Sequence, residues 1–158
     1  TMKTLTKGSL PITGGLEARI VQPGGGSVTG VLSLNPSSGN LTALGFLPVV
    51  ARVDFVSAEP VSGDLENGKL RVNAKVRIKL PSVKTLGIEL AGGANCQAKQ
   101  ISSITLSSTQ PTFAPSTGGS IAGTFAISNL TGCGFLTNLV SPLTQGSGNL
   151  IAVNLTKK

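Results

Sequence analysis

Residues 69–80 alternate without an error between polar and apolar side chains. A period of two is typical of a β-strand, because successive side chains of a strand point to opposite faces. One face of such a strand is buried in a core while the other meets water, as in an antiparallel sheet. The apolar face consists of Leu70, Val72, Ala74, Val76, Ile78 and Leu80, and the polar face consists of Lys69, Arg71, Asn73, Lys75, Arg77 and Lys79.

The dipeptide Asn67-Gly68 directly before this strand favours a tight type I′ turn. Such a turn joins the strand to the preceding residues as a hairpin and fixes which residues lie opposite one another. In the resulting register, apolar side chains meet on one face and acids meet bases on the other. The predicted pairs are Glu66 with Lys69, Leu65 with Leu70, and Asp64 with Arg71.

The same register extends past Pro60, where a bulge or bend is expected because proline donates no hydrogen bond to a ladder. The extension places Phe55 opposite Leu80 and Ser57 opposite Ile78. It also gives Phe55 the inward parity of a core residue.

Similar alternation recurs along most of the chain, between turns rich in Gly, Pro, Ser and Asn. It predicts a single all-β domain over residues 1–158, an antiparallel β-barrel or β-sandwich of about nine strands. The barrel and the sandwich stay open as alternatives, since both need the same alternation. Apolar residues at positions 135, 136, 139, 140 and 143 are instead spaced for one short helix near 135–143, whose length Pro142 limits.

The chain contains no His, Trp or Tyr and only six acidic residues. The absence of His excludes a His-based triad, general base or metal site. Asp64 and Glu66 share a strand face at a spacing that suits a glycosidase pair, but each faces a cation in the predicted hairpin. No phosphate-binding loop is present, and nucleic-acid binding is not expected without Trp or Tyr for stacking. We therefore predict a non-enzyme without catalytic residues, metal or cofactor.

No apolar run reaches the ~18 residues that span a bilayer, and the first residues contain no signal-peptide core. The sequence predicts no transmembrane segment and either a cytosolic protein or the mature form of a secreted or cell-surface one. Sparse charge and abundant Ser, Thr and Gly favour the second. Cys96 and Cys133 are the only cysteines, and an even pair suits a disulfide, with two separate buried thiols as the alternative.

The net charge of +7 makes the distribution of cations informative. Lys75, Arg77 and Lys79 stand at alternate positions on one strand face without an obvious acid opposite them. They are predicted as an anion-binding site for phosphates, lipid headgroups or an anionic cell-surface polymer. The alternative is a solvated strand face whose charge protects an edge from aggregation.

The inward face of the strands offers a second candidate site. If the sheet closes around a cavity, its aliphatic lining suits a lipid or another apolar small molecule. A fully packed core is the alternative. The predicted lining residues are Val53, Phe55, Val72, Val76, Ile78, Phe125 and Leu139.

Three short segments carry a resemblance to known sequences: Leu44-Gly-Phe-Leu-Pro, Gly132-Cys-Gly-Phe and Gly146-Ser-Gly-Asn. Their order resembles that in a set of secreted β-rich proteins of actinobacteria, over residues 5–155. The resemblance implies an exported protein whose two cysteines are bridged, and it implies no catalytic residues.

These observations predict an exported, non-catalytic binding protein with a Cys96–Cys133 disulfide. Its ligand is predicted to be apolar or amphipathic, such as a lipid, held within the β-structure. The competing prediction is a structural or adhesive cell-surface domain that binds an anionic wall polymer or a protein partner.

Overall fold

The computed structural model describes residues 2–3, 6–20, 26–134 and 137–157 of the chain. Within these residues the regular structure is almost entirely β-strand, which confirms the predicted all-β fold. It contains one short helix, α1 (Thr137–Thr144), where a short helix was predicted near 135–143. The first two residues of the predicted helical segment, 135 and 136, lie outside the described residues. The strands are β1 (Met2–Lys3), β2 (Thr6–Gly8), β3 (Gly14–Ile20), β4 (Gly26–Leu34), β5 (Ser37–Ala43), β6 (Leu47–Ser57), β7 (Val61–Glu66), β8 (Lys69–Thr85), β9 (Ile88–Gly92), β10 (Gln97–Ala98), β11 (Ser102–Ser108), β12 (Gly119–Ile127), β13 (Leu130–Thr131) and β14 (Gly146–Leu155).

These strands form one antiparallel sheet that curls strongly into a half-barrel. Its main path runs β1-β2-β5-β6-β8-β11-β12-β14, with the other strands attached beside it. The predicted count of nine strands is too low, because the described residues contain 14 strand segments. Three of these are only two residues long, and such short strands leave no alternation to recognise in the sequence.

Strand β8 holds the half-barrel together through its 17 residues. Its first half pairs with β7 on one edge and with β11 on the other. Its second half pairs with β6 on one edge and with β9 and β10 on the other. The apolar face predicted for residues 70–80 is buried as expected. The alternation that dominates the sequence therefore belongs to the strand with the most neighbours.

The hairpin between β7 and β8 has the predicted register. Leu65 lies opposite Leu70, with the predicted acid–base pairs on either side. The turn residues Asn67 and Gly68 both have positive φ, 52° and 74°, as a type I′ turn requires. Turn chemistry and side-chain pattern thus agree in this part of the chain.

The register predicted beyond Pro60 is wrong by two residues. Phe55 lies opposite Ile78 rather than Leu80, and Ser57 lies opposite Val76 rather than Ile78. The N–H of Ala58 still donates a 2.8 Å hydrogen bond to the carbonyl oxygen of Lys75, but residues 59 and 60 leave the ladder. Between the two ladders this edge of the sheet therefore contains two more residues than β8 does. A shift of two residues keeps every side chain on its predicted face of the sheet, and Phe55 is buried as expected.

The inward faces of the strands meet in one hydrophobic cluster. Two inward-facing glycines let the strands approach closely where the sheet curls. A Cβ on Gly63 would lie 2.1 Å from the carbonyl oxygen of Arg71, and a Cβ on Gly123 would lie 1.9 Å from that of Thr105. Any side chain at these positions would push neighbouring strands apart, so the curvature depends on glycine.

Candidate binding surfaces

The polar face of β8 carries the predicted anion-binding residues in the expected row. Lys75, however, has an acidic partner: its Nζ lies 3.0 Å from Oε2 of Glu59. Glu59 lies in the short segment between β6 and β7, after Ala58 has made the last backbone hydrogen bond to β8 on this side. The sequence pattern did not reveal this partner because the position of Glu59 depends on how that segment bends.

Among the described residues, neither of the other two cations of the row lies in an ion pair. Arg77 donates a 3.3 Å hydrogen bond to the carbonyl oxygen of Ala98. Lys79 lies opposite Asp54 in the ladder. Oδ1 of Asp54 lies 3.8 Å from Nε of Arg52. The row is thus assembled as predicted, but acids accompany part of it. Its role in anion binding stays a prediction.

The predicted ligand-lining residues mostly pack against one another. Five of the seven are buried members of the single hydrophobic cluster: Val53, Phe55, Val72, Val76 and Ile78. Phe125 is only partly buried and packs against that cluster. Leu139 belongs to α1, and its side chain lies outside the described part of the chain. A ligand that touched the first five would have to displace packing inside this buried cluster.

The two cysteines form the predicted disulfide. Cys96 and Cys133 are bonded and buried, and their Cα atoms are 4.2 Å apart. The bridge stands beside the short ladder between β10 and β13 and ends four residues before α1 begins. Thr137 continues this connection, since its Oγ1 accepts a 3.1 Å hydrogen bond from the backbone N–H of Cys133. A disulfide is compatible with an extracellular protein.

Two hairpins expose large apolar side chains that were not predicted as binding residues. The β5–β6 turn presents Leu44 and Phe46, which are 51% and 75% exposed. The β8–β9 hairpin presents Leu86 in its turn and Ile88 at the start of β9, which are 79% and 67% exposed. We call these four side chains the apolar tips. In the sequence, each one merges with the apolar residues of the flanking strands and resembles core.

The two turns lie side by side at the same end of the sheet. Strands β6 and β8 are neighbours, and Val50 pairs with Lys84 close to both turns. Oγ1 of Thr85 also donates a 2.6 Å hydrogen bond to the carbonyl oxygen of Pro48. Two strand spacings separate the centres of the hairpins, so the turns are about 10 Å apart.

Both turns place leucine in a backbone conformation that leucine disfavours. Leu44 has a φ of 54° and Leu86 a φ of 50°, and each is followed by a glycine of positive φ. The left-handed region costs an L-residue roughly 1–2 kcal/mol, and Asn adopts it more readily. Asn67 occupies the equivalent position of the β7–β8 turn. Backbone strain of this kind concentrates at functional sites, which makes the two turns a candidate contact surface.

In the described part of the chain, no three His, Cys, Asp or Glu residues are grouped so that they could hold a metal ion. None of the helical structure within the described ranges is long and apolar enough to cross a membrane. No protein-family model matches the chain, and no curated protein or solved structure shows significant similarity to it.

Proposed function

We propose that this chain is an exported, non-catalytic domain that binds the surface of an anionic lipid membrane through its apolar tips. One observation carries the proposal: two exposed leucines, both in left-handed turns, stand side by side at one end of the half-barrel. The ligand class is the amphipathic one expected from the sequence. We propose, however, that the lipid is contacted by the outside of the sheet and is not held within it.

The apolar tips are large exposed side chains on two neighbouring hairpins about 10 Å apart, an arrangement that suits insertion into a lipid surface. Complete burial of a Leu, Ile or Phe side chain is worth roughly 1.5–3 kcal/mol. Since the four side chains are 51–79% exposed, insertion gains a part of that value for each, and this gain is set against the cost of association.

The charge of the chain supports an anionic surface. Lys84 is exposed beside the turns, although Glu89 lies opposite it in the ladder. The whole chain carries +7, which attracts it towards negative headgroups over a distance of about one Debye length. Cations close to an anionic membrane contribute about 1 kcal/mol each. Binding should therefore weaken as salt is added.

Vesicle co-sedimentation tests the proposal. We expect the protein to sediment with vesicles of equimolar phosphatidylglycerol and phosphatidylcholine, and less with phosphatidylcholine alone. Leu44→Asn combined with Leu86→Asn should reduce binding by about tenfold or more, since two anchors are lost. Val31→Thr is the matched control, because Val31 is also exposed but lies on β4. Equal binding by the double variant, or no vesicle binding by the natural chain, would contradict the proposal.

A ligand held inside the half-barrel is the second candidate, and Phe125 is the observation that favours it. This predicted lining residue is only partly buried, as are Leu16, Leu32 and Val153, which also pack against the core. Such side chains could contact an acyl chain without displacing the central packing. Native mass spectrometry of protein purified from its own host would detect a co-purified lipid. A mass equal to that of the chain alone would count against this candidate.

A further inference from the structure

Strand β3 lies at an edge of the sheet and has one neighbour. It pairs with β4 over all seven of its residues, and no other strand within the described ranges pairs with it. Its other edge therefore presents backbone N–H and C=O groups to the solvent. An open edge of this length is a template on which another strand can be added.

The side chains of β3 make this edge self-complementary. Its two charged residues, Glu17 and Arg19, are exposed and flank the exposed Ala18. An antiparallel pair of β3 strands centred on Ala18 places Glu17 of each copy opposite Arg19 of the other. The two neighbouring registers that keep the same face inward are centred on Glu17 or on Arg19, and they place like charges opposite each other. Only the register centred on Ala18 makes two favourable charge pairs.

The apolar face of β3 agrees with the same register. Leu16 is partly buried, while Ile20 at the other end of the strand is exposed. Pairing about Ala18 brings Leu16 of one copy opposite Ile20 of the other, so apolar side chains meet on the inward face. The inner surface of one half-barrel would then continue into that of its partner.

We propose that a second copy of this chain pairs with the β3 edge, which gives a two-fold symmetric dimer with one continuous sheet. A two-fold interface uses the same patch on both subunits, as this strand does. The competing explanation is that Glu17 and Arg19 only protect the edge from pairing. The two explanations differ in their predictions: a protected edge leaves the natural chain monomeric, whereas pairing gives a dimer that a single charge reversal weakens.

Light scattering coupled to size exclusion, over a range of protein concentrations, tests the proposal. We expect the natural chain to show a concentration-dependent dimer. Glu17→Arg alone and Arg19→Glu alone should each weaken dimerisation by about tenfold or more, because two attractive pairs become repulsive. The double variant Glu17→Arg with Arg19→Glu should dimerise like the natural chain. An equimolar mixture of the two single variants should form a heterodimer, since every cross-strand pair is again attractive.

Three results would overturn the proposal. The first is a natural chain that remains monomeric at every concentration. The second is a dimer that both single reversals leave intact, which would place the interface elsewhere. The third is a mixture of the single variants that stays monomeric. Because all the substituted side chains are exposed, circular dichroism should show each variant to be folded. The outcome is independent of vesicle binding, which the apolar tips mediate.

Discussion

Thr85 and Pro48 tie the two apolar turns together, since Oγ1 of Thr85 donates a 2.6 Å hydrogen bond to the carbonyl oxygen of Pro48. Thr85 directly precedes Leu86, and Pro48 stands two residues after Phe46. The bond links β6 to β8 beyond the end of their backbone pairing, whose last pair on this side is Val50 with Lys84. It therefore holds the spacing between the turns at the point where the sheet ends.

Replacement of Thr85 by valine removes this bond while keeping the branched shape. We expect the free energy of unfolding to fall by about 0.5–1.5 kcal/mol, the net value of one hydrogen bond. Urea unfolding measures the change. Thr42→Val is the control, because Thr42 is also an exposed strand residue near these turns. Equal effects of the two substitutions would show that the Thr85 bond does not stabilise this end of the sheet.

Leu86→Asn should stabilise the protein, although it removes an apolar side chain. Asn adopts the left-handed conformation more readily than leucine, and Asn-Gly is the preferred type I′ pair. We expect a gain of about 0.5–1 kcal/mol in the free energy of unfolding, measured by thermal or urea denaturation. The reciprocal change Asn67→Leu should cost a similar amount. A loss of stability in Leu86→Asn would mean that the leucine packs usefully against its own chain.

Reduction of the disulfide should destabilise the domain substantially. The bridge closes a loop with a sequence separation of 37, which corresponds to about 4 kcal/mol in the chain-entropy description. Urea unfolding with and without reductant measures this difference. The double variant Cys96→Ala with Cys133→Ala should unfold at low urea concentration, and its unfolding midpoint should not change when reductant is added. Unchanged unfolding of the natural chain after complete reduction, verified by thiol titration, would contradict the expectation.

Gly123→Ala tests whether close strand approach is necessary for the curl. The added Cβ would lie 1.9 Å from a backbone oxygen of β11, so the strands would have to move apart. We expect a loss of about 1–3 kcal/mol or more, as for other overpacked cores. Gly15→Ala is the matched control, since a Cβ there meets nothing within 4 Å, and it should change stability by less than about 0.5 kcal/mol. Similar effects at both positions would argue against a steric role for Gly123.

Local chemistry was sufficient to predict the β7–β8 hairpin. The turn residues Asn67 and Gly68 and the charges on either side all favour one register, and the structure has that register. Beyond Pro60 the prediction had to assume how many residues stay in the ladder. Proline indicates an interruption but not its length, so the pairing of Phe55 came out two residues away from where it lies.

The candidate surfaces differed in how far sequence could define them. The row from Lys75 to Lys79 follows directly from alternation, because one strand carries all of it. The position of Glu59 next to Lys75 depends on how the chain bends between β6 and β7. That the two apolar turns are neighbours depends on the order of the strands in the sheet. Leu44 and Leu86 are 42 positions apart in the chain, and no local pattern predicts that their turns lie side by side.

The central position of β8 has a consequence for the order in which the chain folds. Strands β6 and β7 precede it, but the partners on its other edge come later, and β11 ends only at Ser108. During synthesis from the N-terminus, one edge of β8 therefore stays unpaired until the residues up to the end of β11 have been made. Pairings between distant segments form slowly, and an unpaired strand edge is prone to aggregation in the meantime. The cations along β8 carry like charges that would keep two such unfinished chains apart.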